Sequence, residues 1–208
     1  SIDSTGRYAM AANYGSGTVA LFPLNDDGSL QEATSVDQHT GKGLTERQES
    51  AHAHMIIPAP DRVHVYSCDL GTDNVYCYTL DSINDELVLT GQVYKTQPGA
   101  GPRHLTFHPF RNIAYIVNEL NGTIEAVKVD TVTGSMKRFQ VISTLNPAEK
   151  KDAACADIHI TPSGKYLYAT NRSDINTIAM YSVNPETGEL VLMGHKPVKG
   201  KTPRSFVI

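Results

Sequence analysis

The stretch Gly164-Lys165-Tyr166-Leu167-Tyr168-Ala169-Thr170-Asn171 occurs in four related versions along this chain of 208 residues. Each version is a run of β-forming residues that closes on Asn or Asp, a position that we call the anchor. The other three are Gly6-Arg7-Tyr8-Ala9-Met10-Ala11-Ala12-Asn13, Arg62-Val63-His64-Val65-Tyr66-Ser67-Cys68-Asp69 and Arg111-Asn112-Ile113-Ala114-Tyr115-Ile116-Val117-Asn118. The anchors at 13, 69, 118 and 171 are therefore 56, 49 and 53 residues apart. Strand-rich repeats of about 50 residues are typical of β-propeller blades.

Further strands surround each anchor. A second β-rich run follows every anchor, at residues 18–22, 74–78, 123–127 and 177–181, and another run precedes the later anchors, at 55–57, 105–107 and 158–160. Polar turns that carry Gly, such as Asn25–Gly28 and Asn184–Gly188, connect apolar runs in the manner of hairpins. No helical period is visible. The sequence therefore predicts an all-β fold, a β-propeller with about four blades.

The repeats also define the expected domain organisation. We predict one β-propeller domain over residues 1–208, with repeats at approximately 1–50, 51–100, 101–152 and 153–201 and a fifth that starts at 202. The first and last repeats are cut within their length. Four blades could close as a ring if the last strand completed the first blade, but we expect a segment of a larger propeller.

Composition excludes several classes of protein. No stretch approaches the ~20 apolar residues of a membrane span, and a net charge of −4 with interspersed signs gives no basis for a nucleic-acid partner. Three cysteines without a CxxC pair favour a reducing compartment, with a Cys68–Cys77 bridge as the lesser alternative. Since residues 1–6 do not resemble a signal peptide, we expect a cytoplasmic protein. The oligomeric state is not predicted.

Matched positions in the repeats select candidate site residues. Equivalent positions of propeller blades lie on a ring around the central axis, so polar residues at such positions converge. The residues 15 positions before the last three anchors are His54, Arg103 and Ala156, and those directly after the four anchors are Tyr14, Leu70, Glu119 and Arg172. Four members of these two sets, His54, Arg103, Glu119 and Arg172, form the predicted site. Their polar neighbours are His52, His104, Asn118, Asp157 and Asn171.

These residue types indicate chemistry on an anion. Two arginines can bind a carboxylate or phosphate through paired hydrogen bonds. His54 and Glu119 are candidate groups for proton transfer. A structural alternative is open: the Arg and Glu side chains could form ordinary ion pairs at blade edges, and His54 could bind a backbone carbonyl.

Other motifs give weaker indications of function. His52 and His54 could lie on one face of a strand as metal ligands do, but no third ligand follows at the usual spacing, so we expect no metal. Gly41-Lys42-Gly43 is too short for a phosphate-binding P-loop. No GxSxG motif is present for a serine nucleophile. Residues 31–50 are predicted to be a long loop between strands, of a length that often forms functional rims.

Several motifs, in order, resemble one family along nearly the whole chain. They are Gln38–Gly43, Arg47–His54, Asp69–Asp73, Gly101–His104, Asn118–Leu120 and Asn171–Arg172. The chain is similar in these to the seven-bladed propeller lactonases, which include propeller-type 6-phosphogluconolactonases and the fungal carboxy-cis,cis-muconate cyclase. The resemblance implies seven blades, of which this chain supplies about four. It also implies that His54, Arg103, Glu119 and Arg172 are catalytic and that no cofactor is needed.

The resemblance sets the expected function. We expect a lactonase that hydrolyses a small anionic sugar-acid lactone, most similar to 6-phosphogluconolactonase. Arg103, Arg172, His104, His52 and Asn118 are the expected substrate-binding residues. The alternatives are the muconate cyclase reaction and a non-catalytic propeller that binds partners as a scaffold. The expected partner is the small anionic substrate, a phosphorylated sugar lactone or a muconate, without nucleic acid or membrane.

Overall fold

Short antiparallel strands make up most of the chain. The structure, a computed structural model, describes residues 1–146 and 153–208; the end of the third predicted repeat, at residue 152, lies outside the described residues. The strands are β1 (Tyr8–Asn13), β2 (Thr18–Pro23), β3 (Ser35–Gln38), β4 (Ala53–Pro58), β5 (His64–Asp69), β6 (Asn74–Asp81), β7 (Glu86–Lys95), β8 (Pro102–Phe107), β9 (Ile113–Asn118), β10 (Thr123–Val129), β11 (Met136–Ser143), β12 (Cys155–Ile160), β13 (Tyr166–Asn171), β14 (Thr177–Val183) and β15 (Leu190–Pro197).

The strands form four sheets in sequence order. The first sheet has three strands (β1-β2-β3), and the others have four each: β4-β5-β6-β7, β8-β9-β10-β11 and β12-β13-β14-β15. Every neighbouring pair is antiparallel. Successive four-stranded meanders are the blades of a propeller. The predicted all-β class and the number of about four blades are therefore confirmed.

The segment 31–50 differs from its prediction as one long loop. It contains β3, which pairs with β2, and a 3-10 turn at Glu46–Gln48. β3 escapes sequence patterning because its only apolar residue, Val36, is exposed, so backbone pairing rather than a buried apolar face holds it in the sheet. Gln48 is buried, and its side-chain amide donates to the Leu70 carbonyl and the Asp73 carboxylate.

The chain divides into two compact units, each with its own core. The first unit comprises residues 1–98 and 131–135, and the second comprises 99–130 and 136–208. In the first, Tyr8, Val19 and Leu21 pack with residues of β4 to β6. In the second, β9 and β10 pack against β12 to β15. Each fully buried Leu or Ile contributes roughly 1.5–3 kcal/mol.

Three of the four anchors close the turn that follows them. In each, the Asn side-chain amide donates to a Thr hydroxyl at the start of the next strand. The bonds are Asn13 to Thr18 at 3.1 Å, Asn118 to Thr123 at 3.0 Å and Asn171 to Thr177 at 3.3 Å. The side chain of the anchor Asp69 has no N–H to donate, and it accepts bonds from other groups instead. A carboxylate in place of a side-chain amide at this repeated position therefore distinguishes the second blade from the other three.

A β-bulge recurs in the first strand of the last three blades. The register with the following strand shifts by one residue between Ala53 and Met55, between Pro102 and His104, and between Cys155 and Ile158. A bulge leaves a residue unpaired and re-aims its side chain. The bulges lie at His54, at Arg103 and at Ala156–Asp157. The position 15 residues before each of the last three anchors is therefore a bulge position.

Among residues 1–146 and 153–208, no helix is long and apolar enough to cross a membrane. Cys68, Cys77 and Cys155 are buried free thiols. Burial raises the pKa of Cys155 to about 12, which keeps this thiol protonated and unreactive at neutral pH.

Candidate active site

Three residues selected by their repeat position meet in the second unit. Glu119 Oε2 lies 2.9 Å from Arg103 Nε and 2.8 Å from Arg172 Nη2. The side chains of Arg103, Glu119 and Arg172 are 2%, 4% and 12% exposed, respectively. We call this group the arginine triad, and the structure brings its members together around a single carboxylate oxygen.

Local backbone structure fixes the triad. Arg103 is the extra residue of the β8 bulge. Glu119 and Arg172 each follow an anchor, and their backbone N–H groups donate to the carbonyls of Gly101 at 2.8 Å and Ala154 at 3.0 Å. These bonds extend the pairing of the first two strands of each blade by one residue. The three side chains therefore project from backbone with little freedom to move, as a preorganised site requires.

The triad carries a net positive charge. Burial lowers the pKa of Arg103 to about 10, so this guanidinium stays charged at neutral pH. It also donates from Nη1 to the Ala156 carbonyl. Arg172 donates from Nε to the Ala154 carbonyl at 3.2 Å. Two guanidiniums and one carboxylate leave one unit of positive charge, which suits the site for an anionic ligand.

A second ionisable cluster lies beside the triad in the same unit. Asp157 Oδ1 is 2.8 Å from His104 Nδ1, and Asp157 Oδ2 is 3.2 Å from His159 Nε2. The backbone N–H of Phe206 also donates to Oδ2, at 3.0 Å. His104 Nε2 lies 3.3 Å from Arg103 Nη1, which links the cluster to the triad. We call this group the Asp157 cluster.

The two imidazoles of the Asp157 cluster have pKa values shifted in opposite directions. Burial, assisted by the charge of Arg103, lowers the pKa of His104 below its usual range. The hydrogen bond to Asp157 raises the pKa of His159. Burial alone would raise the pKa of Asp157, but its hydrogen bonds from His104 and His159 hold that pKa far below its usual range. Neighbouring groups whose pKa values are pushed apart are typical of acid–base sites.

His52 and His54 belong to the first unit, where both contact Tyr14. The His52 ring stacks on the Tyr14 ring with centroids 4.4 Å apart, and its Nδ1 lies 2.9 Å from the Tyr14 carbonyl. The His54 ring meets Tyr14 edge-on at 5.6 Å. Both side chains are half-buried. His54 stands at the β4 bulge, the position equivalent to that of Arg103.

Asn118 is fully buried at its anchor position. Its amide donates to Thr123 Oγ1 at 3.0 Å and to Glu125 Oε1 at 3.4 Å. Asn171 is buried likewise and donates to the Thr144 carbonyl at 2.8 Å. Both anchor side chains therefore make structural hydrogen bonds inside the protein. A substrate-binding role for Asn118 stays a prediction.

Repeat positions did not select His159 or His39. Asp157 and His159 are two residues apart on β12, and this spacing puts side chains on one face of a strand. The Asp157–His159 pair can therefore be recognised from the sequence. His39 gives no such signal, because its partner Asp69 is 30 residues away. Its Nδ1 lies 2.7 Å from Asp69 Oδ2, and its Nε2 lies 2.8 Å from the Tyr78 hydroxyl.

Residues 1–146 and 153–208 contain no group of three His, Cys, Asp or Glu side chains that could hold a metal ion. In the first unit, a cavity of about 570 Å³ lies beside Gly41-Lys42-Gly43. Its wall includes Asp73 and the two lysines Lys42 and Lys95.

Comparison with known proteins places these features in a family. The family model for the seven-bladed β-propeller lactonases matches residues 1–208. A 6-phosphogluconolactonase of Bacillus subtilis is 36% identical over 207 residues, which are 100% of this chain and 58% of that protein. A 6-phosphogluconolactonase of Formosa agariphila is 32% identical over 213 residues, 100% of this chain and 59% of that protein.

Solved structures agree with the sequence matches. The periplasmic gluconolactonase of Pseudomonas aeruginosa superposes with a TM-score of 0.93 at 29% identity, over 99% of this chain and 58% of that one. A Lactobacillus plantarum protein superposes with a TM-score of 0.92 at 31% identity, over 98% of this chain and 58% of that one. The chain thus spans slightly under three-fifths of the length of the relatives that it matches.

Proposed function

The chain belongs to the family of seven-bladed β-propeller lactonases, and from that premise we propose that the protein hydrolyses a small anionic sugar-acid lactone. The proposed substrate is 6-phosphogluconolactone, the one named for the relatives in Bacillus subtilis and Formosa agariphila. The observation that carries the proposal is the arginine triad, since two buried guanidiniums held by one carboxylate form a fixed cationic site.

The triad supplies binding and electrostatic stabilisation. Water attack on a lactone carbonyl puts negative charge on the carbonyl oxygen, and preorganised donors aimed at that oxygen lower the barrier. Arg103 and Arg172 are proposed to bind the anionic substrate and this developing charge. Glu119 orients both guanidiniums through Oε2. His54 is proposed as a proton-transfer group, and His52, His104 and Asn118 as further substrate contacts.

Arginine-to-lysine variants of the complete protein test the proposal. We expect Arg103→Lys and Arg172→Lys each to lower kcat/KM for 6-phosphogluconolactone about a hundredfold, because an ammonium cannot reproduce the paired donors of a guanidinium. Arg111→Lys is the matched control, since Arg111 binds the carbonyls of Pro185 and Glu186 in a turn outside the triad. The control should retain wild-type turnover.

The same assay includes three further measurements. Glu119→Gln should lower turnover because the guanidiniums lose the charge that orients them, and unchanged lactonase activity would remove Glu119 from the mechanism. Unphosphorylated gluconolactone tests the phosphate requirement, and carboxymuconate tests the cyclase alternative. Wild-type protein that turns over none of these substrates would overturn the proposal and favour a scaffold role.

A cytoplasmic location stays a prediction, since one similar structure is described as periplasmic.

A further inference from the structure

The tautomer of His104 follows from its two partners. Nδ1 faces a carboxylate oxygen of Asp157 at 2.8 Å, and a carboxylate can only accept, so Nδ1 carries the proton. Nε2 faces the Arg103 guanidinium at 3.3 Å, and a guanidinium can only donate, so Nε2 is the acceptor. These contacts assign a neutral imidazole whose basic nitrogen points toward the arginine triad.

Water can reach this imidazole. The His104 side chain is 22% exposed, against 4% for Glu119. The charged groups that face His104 are Asp157 on β12, Arg103 beside it on β8, and His159 on the far side of Asp157. Arg103 and His159 both disfavour the protonated ring, and Asp157 favours it. The lowered pKa of His104 keeps the ring neutral at pH 7, as a base must be.

Glu119 is less suited to accept a proton from water. Its Oε2 is shared by two guanidiniums at 2.8 and 2.9 Å, and protonating this carboxylate would weaken both ion pairs. Its contacts indicate a group that orients the arginines. The site therefore needs another proton acceptor close to Arg103, and His104 is next to it in the chain.

We propose that His104 is the general base of lactone hydrolysis and that Asp157 is a positioning residue that holds the ring in the required tautomer. This inference rests on the lactonase function proposed above. The 3.3 Å contact between Arg103 Nη1 and His104 Nε2 gives way to the attacking water, and one water O–H proton moves to Nε2 while the water oxygen bonds to the lactone carbonyl carbon. The bond from that carbon to the ring oxygen then breaks, and the ring oxygen takes a proton from solvent water. His104 returns its proton to solvent, and the product is the open-chain hydroxy acid.

His159 gives the proposal its sharpest test. The imidazoles of His104 and His159 share the Asp157 carboxylate, so removing either neighbour of His104 must move the pH dependence of the base. Loss of the Asp157 charge makes His104 less basic. Loss of the positive charge on His159 makes His104 more basic. The two changes therefore predict shifts of opposite sign.

The experiment measures kcat, KM and the pH profile of kcat/KM for 6-phosphogluconolactone with the complete protein. His104→Gln should lower kcat about a hundredfold to ten-thousandfold, with KM changed less than about threefold, and should abolish the acidic limb of the profile. Asp157→Asn should lower kcat and move that limb to lower pH. His159→Gln should move the limb to higher pH, with kcat within about threefold of wild type.

The outcomes separate this inference from the proposed function. If His104→Gln keeps kcat within threefold and retains the acidic limb, His104 is not the base, while a loss in Arg103→Lys would still support the lactonase. If wild type does not hydrolyse the lactone at all, the proposed function itself fails. Should His104→Gln not fold, the limb positions of Asp157→Asn and His159→Gln decide, and two unmoved limbs overturn the inference.

Discussion

Each unit contains an aspartate that binds imidazole, yet the two pairs have different surroundings. In the first unit, His39 and Asp69 are fully buried, with side chains 1% and 0% exposed. In the second, His104 and His159 bind Asp157 with their rings 22% and 41% exposed. The contact to the carboxylate is similar in length, at 2.7 Å for His39 and 2.8 Å for His104. The pair alone therefore does not distinguish a structural role from a chemical one.

The second ring nitrogen makes that distinction. The Tyr78 hydroxyl donates to Asp37 Oδ2 at 2.7 Å, so its oxygen is left to accept a bond from His39 Nε2, 2.8 Å away. Both nitrogens of His39 therefore have buried partners, and the ring is stacked on Tyr76 with centroids 4.0 Å apart. A substrate cannot reach either nitrogen of His39, because the side chain is only 1% exposed. His104 Nε2 instead faces Arg103 Nη1 at the longer distance of 3.3 Å, and its ring is partly exposed to water.

The largest expected effect separates the two aspartates by stability. Asp69 also accepts the backbone N–H groups of His52 and Thr72, at 2.9 and 3.0 Å. Asp69→Ala should lower the free energy of unfolding by about 3–5 kcal/mol, because His39 Nδ1 and two backbone N–H groups are left without their buried acceptor. Asp157→Ala should cost less, about 1–3 kcal/mol, because water can reach its histidines. Urea denaturation of the complete protein measures both, and the reverse order would contradict the comparison.

A smaller effect tests the bridge from His39 to Asp37. Tyr78→Phe removes the hydroxyl between them and leaves His39 Nε2 without its buried partner, which should cost about 1–3 kcal/mol. Tyr76→Phe is the matched control. It keeps the ring that stacks on His39 and loses only hydroxyl contacts of 3.2 and 3.4 Å to Asn74 and Thr72, so its cost should stay below about 0.5 kcal/mol. Equal losses of stability in the two variants would mean that the His39 bridge is not structural.

Sequence repetition predicted much of the fold and part of the site. Arg103, Glu119 and Arg172 were selected by position because equivalent positions in antiparallel blades have equivalent backbone geometry, and the structure brings these three together. The Asp157 cluster was not assembled from the sequence. Its contact to His104 depends on how two bulges aim their side chains, and no repeat spacing specifies that direction.

The His39 network and β3 show a second limit of sequence reasoning. His39 follows a strand whose only apolar residue is exposed, so hydrophobic periodicity is silent there. Its partner Asp69 occupies a position that is Asn in the other three repeats. The change removes a donor and creates a site for an imidazole, a consequence visible only when the segment that carries His39 is placed beside β5.

The smallest effect concerns the exposed end of the Asp157 cluster. The hydrogen bond to Asp157 raises the pKa of His159 above its unfolded value. A raised histidine pKa contributes stability that is fully present below about pH 6.5 and is lost as pH rises through the folded pKa. His159→Gln should therefore be less stable than wild type at pH 5.5, by roughly 0.3–0.5 kcal/mol after allowance for solvent screening, and the gap should close by about pH 9. Thermal denaturation across this range measures it. His39→Gln, by contrast, should be destabilised at every pH in the range, because the variant loses a fully buried ring together with its contacts to Asp69 and Tyr78. If the stability difference between His159→Gln and wild type does not change with pH, both rings have the same structural role.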